Sequence, residues 1–241
     1  MSLPSRIKAV FFDLDGTLRH SVPSSGEVFS NYAASLGLRV TYEDRIRAAR
    51  WEYLYWANSA DLRDDLLAHS PDTENFWTEY SRRRLIALGA PPAQSAELSK
   101  QISAHMGEEY KPQSIIPGDV REVLVELQRQ GCLMAVLSNR EKPFQDVLDS
   151  HGISDFFAFA VAACEVDSYK PEPGLFEHAL NRTGLSPQEA VYVGDNYFAD
   201  VIGSRRAGLQ PVLFDPDVIF PEADCVTIRS FKELHSVLRD G

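Results

Sequence analysis

Clustered cysteines, an excess of positive charge and low-complexity tracts are all missing from this chain of 241 residues. Its three cysteines, Cys132, Cys164 and Cys225, are odd in number and far apart. They lack the short Cys-Cys or Cys-His spacings that hold zinc or an iron–sulfur cluster, and read as reduced core thiols. Lys and Arg number 24 against 35 Asp and Glu, and the net charge of −11 repels polyanions. The stretch Arg82-Arg83-Arg84 sits among acidic neighbours instead of on a broad basic face, which argues against nucleic acid as a partner. The first apolar run, Ile7–Leu14, is broken by Asp13 and followed at once by Asp15, so it is not read as a signal peptide or membrane segment. A cytoplasmic location and no membrane partner are the default expectations.

What is present is ordinary globular material, 44% apolar and 24% charged, in a length that suits a core domain with a smaller satellite. Short apolar runs at Ile7–Phe12, Leu133–Leu137, Val191–Val193 and Pro211–Phe214 have the character of fully buried parallel strands. Helical patterns alternate with them. One has Val120, Val123, Leu124 and Leu127, opened by Asp119 and closed by Gly131; another has Phe176, Ala179 and Leu180 between Pro173 and Gly184. The alternation predicts a doubly wound α/β fold with a parallel sheet.

From about Ser25 to Tyr110 the alternation stops and only amphipathic helical patterns remain, with Val28, Phe29, Tyr32, Ala33 and Leu36 as one stripe and Thr41 with Asp44 opening the next. The expected organisation is an α/β core of residues 1–20 plus 112–241 and an all-helical domain of 21–111. The aromatics Trp51, Tyr55, Trp56, Trp77 and Tyr80 suggest a ligand cage at first sight, but filling a small helical core is the more ordinary use of such residues.

Four places bring polar groups to the ends of buried strands, which is where open α/β sheets bind ligands. The first is Asp13-Leu14-Asp15-Gly16-Thr17, in which Gly16 lets the chain turn and expose amides to an anion; a capping turn is the other reading. After the second strand come Ser138-Asn139-Arg140, able to donate hydrogen bonds to a phosphate, or to make an ordinary turn. Lys170 precedes Pro171-Glu172-Pro173 and, near carboxylates, would stabilise a transferring phosphoryl group, though a lone lysine is commonly surface. The fourth is Gly194-Asp195 with Asp200 following, a carboxylate pair that suits a hard cation or a structural loop.

In this order, Asp-x-Asp-Gly-Thr, Ser-Asn, Lys-Pro and Gly-Asp-x-x-x-x-Asp resemble the motifs of the haloacid dehalogenase-like superfamily. The likeness covers the first strand and nearly everything from Ile116 to Phe214, and the helical stretch resembles that superfamily's cap inserted after the first motif. The resemblance implies a Rossmann-like core and hydrolysis of a small phosphorylated molecule. Asp13 would be the nucleophile, forming an aspartyl phosphate. Asp15 would exchange protons with the leaving group and with water. Thr17, Ser138, Asn139 and Lys170 would hold the phosphoryl oxygens. Mg²⁺ would sit on Asp13, Asp195 and the backbone carbonyl of Asp15, with Asp200 in support.

Asp15 also argues against the dehalogenase branch, which lacks a second aspartate in that motif. A phosphosugar mutase and a catalytically idle binding module remain as alternatives. Arg19 and His20 lie at the expected hinge, as linker or as substrate contacts. Neither the leaving group nor the oligomeric state is written in the motifs.

Overall fold

The structure, a computed structural model, describes residues 7–239; residues 1–6, 240 and 241, assigned above to the α/β core, lie outside the described residues. Strands β1 (Ala9–Phe12) and β2 (His20–Val22) are followed by helices α1 (Ser25–Ser35), α2 (Tyr42–Trp56), α3 (Ala60–Ala68), α4 (Glu74–Ala87) and α5 (Pro92–Glu108). Then come β3 (Gln113–Ile115), α6 (Gly118–Arg129), β4 (Leu133–Ser138), α7 (Gln145–Ser150), β5 (Phe159–Ala162), α8 (Ala163–Val166) and α9 (Gly174–Thr183). The chain closes with β6 (Ala190–Gly194), α10 (Ile202–Arg206), β7 (Gln210–Phe214), β8 (Val226–Ile228) and α11 (Phe231–Arg239). It divides into two compact units, Met1–His20 with Ile115–Gly241, and Ser21–Ser114.

The larger unit holds a six-stranded sheet in the order β5-β4-β1-β6-β7-β8, every neighbouring pair parallel. Numbered along the chain, that order is 3-2-1-4-5-6, the doubly wound arrangement expected from the sequence. The reason lies in β1, which is buried at all four positions. Val10 and Phe12 join one apolar layer with Val120, Val123, Leu124 and Leu127 of α6 and Phe231 and Leu234 of α11. Ala9 and Phe11 point the other way, into a layer with Leu175, Phe176, Ala179 and Leu180 of α9. A strand with two buried faces cannot alternate with polar residues, and truncating such a phenylalanine to alanine costs about 3–5 kcal/mol. Helix α6 stops where Gly131 takes a left-handed φ of +73°, and α9 where Gly184 takes +67°.

The register aligns the strand ends: Phe12 lies opposite Val136 of β4 on one side and Val193 of β6 on the other. The chain order reverses between β1 and β6, so the crevice at their carboxyl ends is the topological switch point of the sheet.

In the smaller unit, Ser24, Thr41, Ser59 and Thr73 accept backbone N–H bonds at the starts of α1 to α4, and Thr41 with Asp44 completes a capping box. Phe29, Ala33, Leu85, Leu88 and Ile102 are among the residues that fill its core. The aromatic group is only partly core: Tyr55 and Tyr80 are buried, whereas Trp56 is 37% and Trp77 44% exposed. The two tyrosines are buried because their hydroxyls have acceptors, Tyr55 at Asp65 (2.9 Å) and Tyr80 at Glu52 (2.6 Å). Among the described residues no helix is long and apolar enough to cross a membrane.

Candidate active site

The ends of β1, β4 and β6 bring three of the four sequence motifs together, and Lys170 enters from the loop before α9. Asp13 follows directly on β1, and its backbone N–H donates to Val193 O of β6 at 2.9 Å. Asp195 follows β6, and Asp200 lies in the turn of π-helix, Tyr197–Val201, that leads into α10. Carboxylate oxygens of Asp13, Asp195 and Asp200 all lie within 4.8 Å of one another. Three carboxylates so close repel unless cations stand between them.

One such cation is the buried ammonium of Lys170. It donates to Asp13 Oδ1 (2.6 Å), Asp200 Oδ1 (2.7 Å) and the Tyr192 hydroxyl (2.9 Å), so each of its three N–H bonds has an acceptor. Burial alone would pull Lys170 down, but Asp13 and Asp200 outweigh it and hold the ammonium well above its ordinary range. A single ammonium does not balance the carboxylates. Burial pushes Asp13 up to about 7; Lys170 pulls against that, while Asp200 and Asp15 add to it. The Tyr192 hydroxyl in turn donates to Leu137 O at 3.0 Å, tying the lysine to β4.

Asn139 fixes the lysine from the other side. Its Nδ2 donates to Lys170 O (2.9 Å) and its Oδ1 accepts from Lys170 N (2.7 Å), so both ends of the amide face the backbone of Lys170. The peptide bond from Lys170 to Pro171 is cis. Ser138, the last residue of β4, is buried. The buried Thr17 hydroxyl donates to Asp195 Oδ1 at 3.1 Å.

Asp15 sits in a different environment. Arg19 Nε donates to its Oδ1 (2.6 Å), Arg140 Nε to its Oδ2 (2.7 Å) and Arg140 Nη2 to its Oδ1 (3.2 Å). Burial raises the Asp15 carboxyl, but the hydrogen bonds and charges of Arg140 and Arg19 prevail and hold it below the usual range. Its side chain remains 38% exposed, so this is the outer layer of the site.

Two glycines are dictated by close approach. A Cβ on Gly16, whose φ is +92°, would stand 2.1 Å from Asp195 Oδ2, and a Cβ on Gly194 would stand 2.3 Å from Asp200 Oδ2.

The structure thus gathers the buried Asp13, Asp200 and Lys170 with the half-buried Asp195 beside them, and Ser138 at the neighbouring strand end. The side chains of Thr17 and Asn139, expected to hold phosphoryl oxygens, also bond Asp195 and the Lys170 backbone. Sequence reasoning left Arg19 between linker and contact, gave Arg140 no role and read Tyr192 as core only. An all-oxygen set suits a hard cation such as Mg²⁺. Asp200 also accepts from Lys170 and from Asn196 N–H (2.9 Å).

Residues 7–208 match the family model of haloacid dehalogenase-like hydrolases. The chain belongs to that family. It is 28% identical over 225 residues to a phosphoserine phosphatase of Thermus thermophilus, covering 87% of this chain and 89% of that one. It is 30% identical over 214 residues to a ribulose-1,5-bisphosphate 5-phosphatase of Halopiger xanaduensis, covering 86% and 84%. Among solved structures it is similar to a 2-haloacid dehalogenase of Pseudomonas syringae, with a TM-score of 0.55 at 25% identity over 96% of this chain and 98% of the other.

Proposed function

We propose that this hydrolase removes phosphate from a small phosphomonoester, with Mg²⁺ as cofactor and a phosphoryl group carried transiently on Asp13. The observation that carries the reading is the cluster of Asp13, Asp195 and Asp200 at the switch point of the sheet, with Lys170 bonded to Asp13 and Asp200. The relatives named as phosphatases, one of phosphoserine and one of ribulose 1,5-bisphosphate, support it.

In this reading the Asp13 carboxylate attacks phosphorus, the bond from phosphorus to the ester oxygen breaks, and the electron pair stays on the leaving oxygen. Asp15, once protonated, gives that oxygen its proton, then takes one from the water that attacks phosphorus and restores Asp13. The Lys170 ammonium and the Ser138 end of β4 hold phosphoryl oxygens in place. Asn139 and Tyr192 position Lys170, and Thr17 positions Asp195. Asp13, Asp195 and the Asp15 backbone carbonyl would hold Mg²⁺, and bound Mg²⁺ would offset the repulsion between an attacking carboxylate and an anionic phosphate. The helical unit would serve as a cap that selects the leaving group, as insertion after the first motif implies.

The test is phosphate release from an aryl phosphate and from a panel of phosphorylated metabolites, with and without Mg²⁺. Release that chelation abolishes and Mg²⁺ restores is the expected outcome. Halide release from a 2-chlorinated acid, with no phosphate release from any substrate, would overturn the reading.

A further inference from the structure

The charges of the site are layered. The inner layer sets the buried Asp13 and Asp200 and the half-buried Asp195 against Lys170, an excess of negative charge that calls for a cation. The outer layer is reversed: Arg19 and Arg140 converge on the single carboxylate of Asp15, with side chains 22% and 29% exposed. Two guanidiniums thus grip one carboxylate in a protein whose overall charge is −11. Arg140 uses Nε and Nη2 on Asp15, while its Nη1 has no acceptor among the described residues. Its guanidinium lies 6.0 Å from the centre of the Phe144 ring, which helps to fix its plane. Planar guanidinium forks suit carboxylates and phosphates, and Asp15 already shows that this pair accepts a carboxylate.

We propose that Arg140 and Arg19 form a subsite for a second anionic group on the substrate, a carboxylate or a phosphate carried by the alcohol that leaves. The proposal rests on the phosphatase reading and names its substrate class. In that reading Asp15 faces the ester oxygen, so the groups that grip Asp15 stand where a substituent a few bonds beyond that oxygen falls. An anion there takes the donor left on Arg140 and shares or replaces the bonds to Asp15. The reacting phosphate then meets the inner layer and the second anion meets the outer one.

Calorimetric titration of the full chain in Mg²⁺ with two non-hydrolysable probes, phosphonoacetate and methylphosphonate, tests this. The wild type is expected to bind phosphonoacetate about 10–100-fold more tightly, the range for charge-assisted hydrogen bonds to one added carboxylate. Arg140→Gln should remove most of that preference and Arg140→Lys should keep part of it, since a point charge attracts an anion without the fork. Arg19→Gln provides a second reading should Arg140→Gln not fold. Equal affinities in the wild type, or a preference that survives both glutamine substitutions, would overturn the proposal. Turnover of 4-nitrophenyl phosphate is followed separately. A wild type that prefers phosphonoacetate but releases no phosphate keeps the subsite and loses the hydrolysis. One that hydrolyses without any preference loses the subsite alone.

Discussion

The ammonium of Lys170 donates a 2.6 Å hydrogen bond to Asp13 Oδ1, joining residues 157 positions apart in the buried floor of the site. Removing that ammonium strands the two carboxylates it serves. Lys170→Met is therefore expected to destabilise the metal-free protein by about 3–5 kcal/mol, the usual cost of an uncompensated buried charge. Adding Asp200→Asn should recover part of the loss. Urea midpoints of the single and double variants check this, and a Lys170→Met protein as stable as wild type would show that the lysine is not holding the cluster together.

The two aspartates of the first motif should fail differently. Asp13→Asn is expected to abolish turnover, because an amide cannot form the covalent intermediate. Asp15→Asn should slow it about 10²–10⁴-fold, the usual range for lost acid–base help, with a smaller defect on aryl than on alkyl phosphates. Mass spectrometry of the Asp15→Asn protein after substrate should find a phosphoryl adduct on Asp13. An adduct on another residue, or turnover by Asp13→Asn, contradicts the assignment.

Asp13 also makes stability depend on pH. Its carboxyl, 3.8 in the ordinary case, is held at about 7, so between those values the folded chain keeps a proton that the unfolded chain has released. Stability from this group is complete below about pH 4 and falls as pH rises to about 7, by at most ~1.4 kcal/mol per pH unit. In chelator, the stability of Asp13→Asn relative to wild type should therefore climb across that window, and saturating Mg²⁺ should flatten the climb. Parallel profiles for the two proteins in chelator would rule out the coupling.

Gly16→Ala places a Cβ at 2.1 Å from Asp195 Oδ2 on a backbone with φ +92°, so Asp195 has to move. Mg²⁺ affinity measured by titration should drop in this variant. Gly194→Ala presses instead on Asp200, at 2.3 Å, and should lower stability by about 1–3 kcal/mol as an overpacking change. Unaltered Mg²⁺ binding in Gly16→Ala would remove Asp195 from the proposed metal set.

Much of the site could be read from the chain because each part is local. A buried strand followed by Asp13, by Ser138 or by Asp195 announces a polar group at a sheet edge, and the central strands β1, β4, β6 and β7 are uninterrupted apolar runs. Strands β5 and β8 escaped notice: one is half-buried at Phe159 and Ala160, the other has an exposed Thr227 within three residues. Side-chain partners were less legible. Nothing near Arg140 in sequence points to Asp15, which lies 125 residues away. Tyr192 sits in a buried run, and its hydroxyl gains meaning only once Lys170 and Leu137 are beside it. The hydroxyl of Thr17 and the amide of Asn139 suited a phosphate on paper; their bonds to Asp195 and to the Lys170 backbone could not be read there.

The central strand of the sheet is the first to be synthesised. Ala9 pairs with Leu133 on one side and with Ala190 on the other, so both ladders close loops of more than a hundred residues, whereas α1 to α5 follow one another without a break. Contacts that close long loops form late. Pulse-labelled hydrogen exchange during refolding should accordingly protect amides of α1 to α5 before those of β1. A nascent chain carries Asp13 well before β6, and has no pocket around it until β6 arrives.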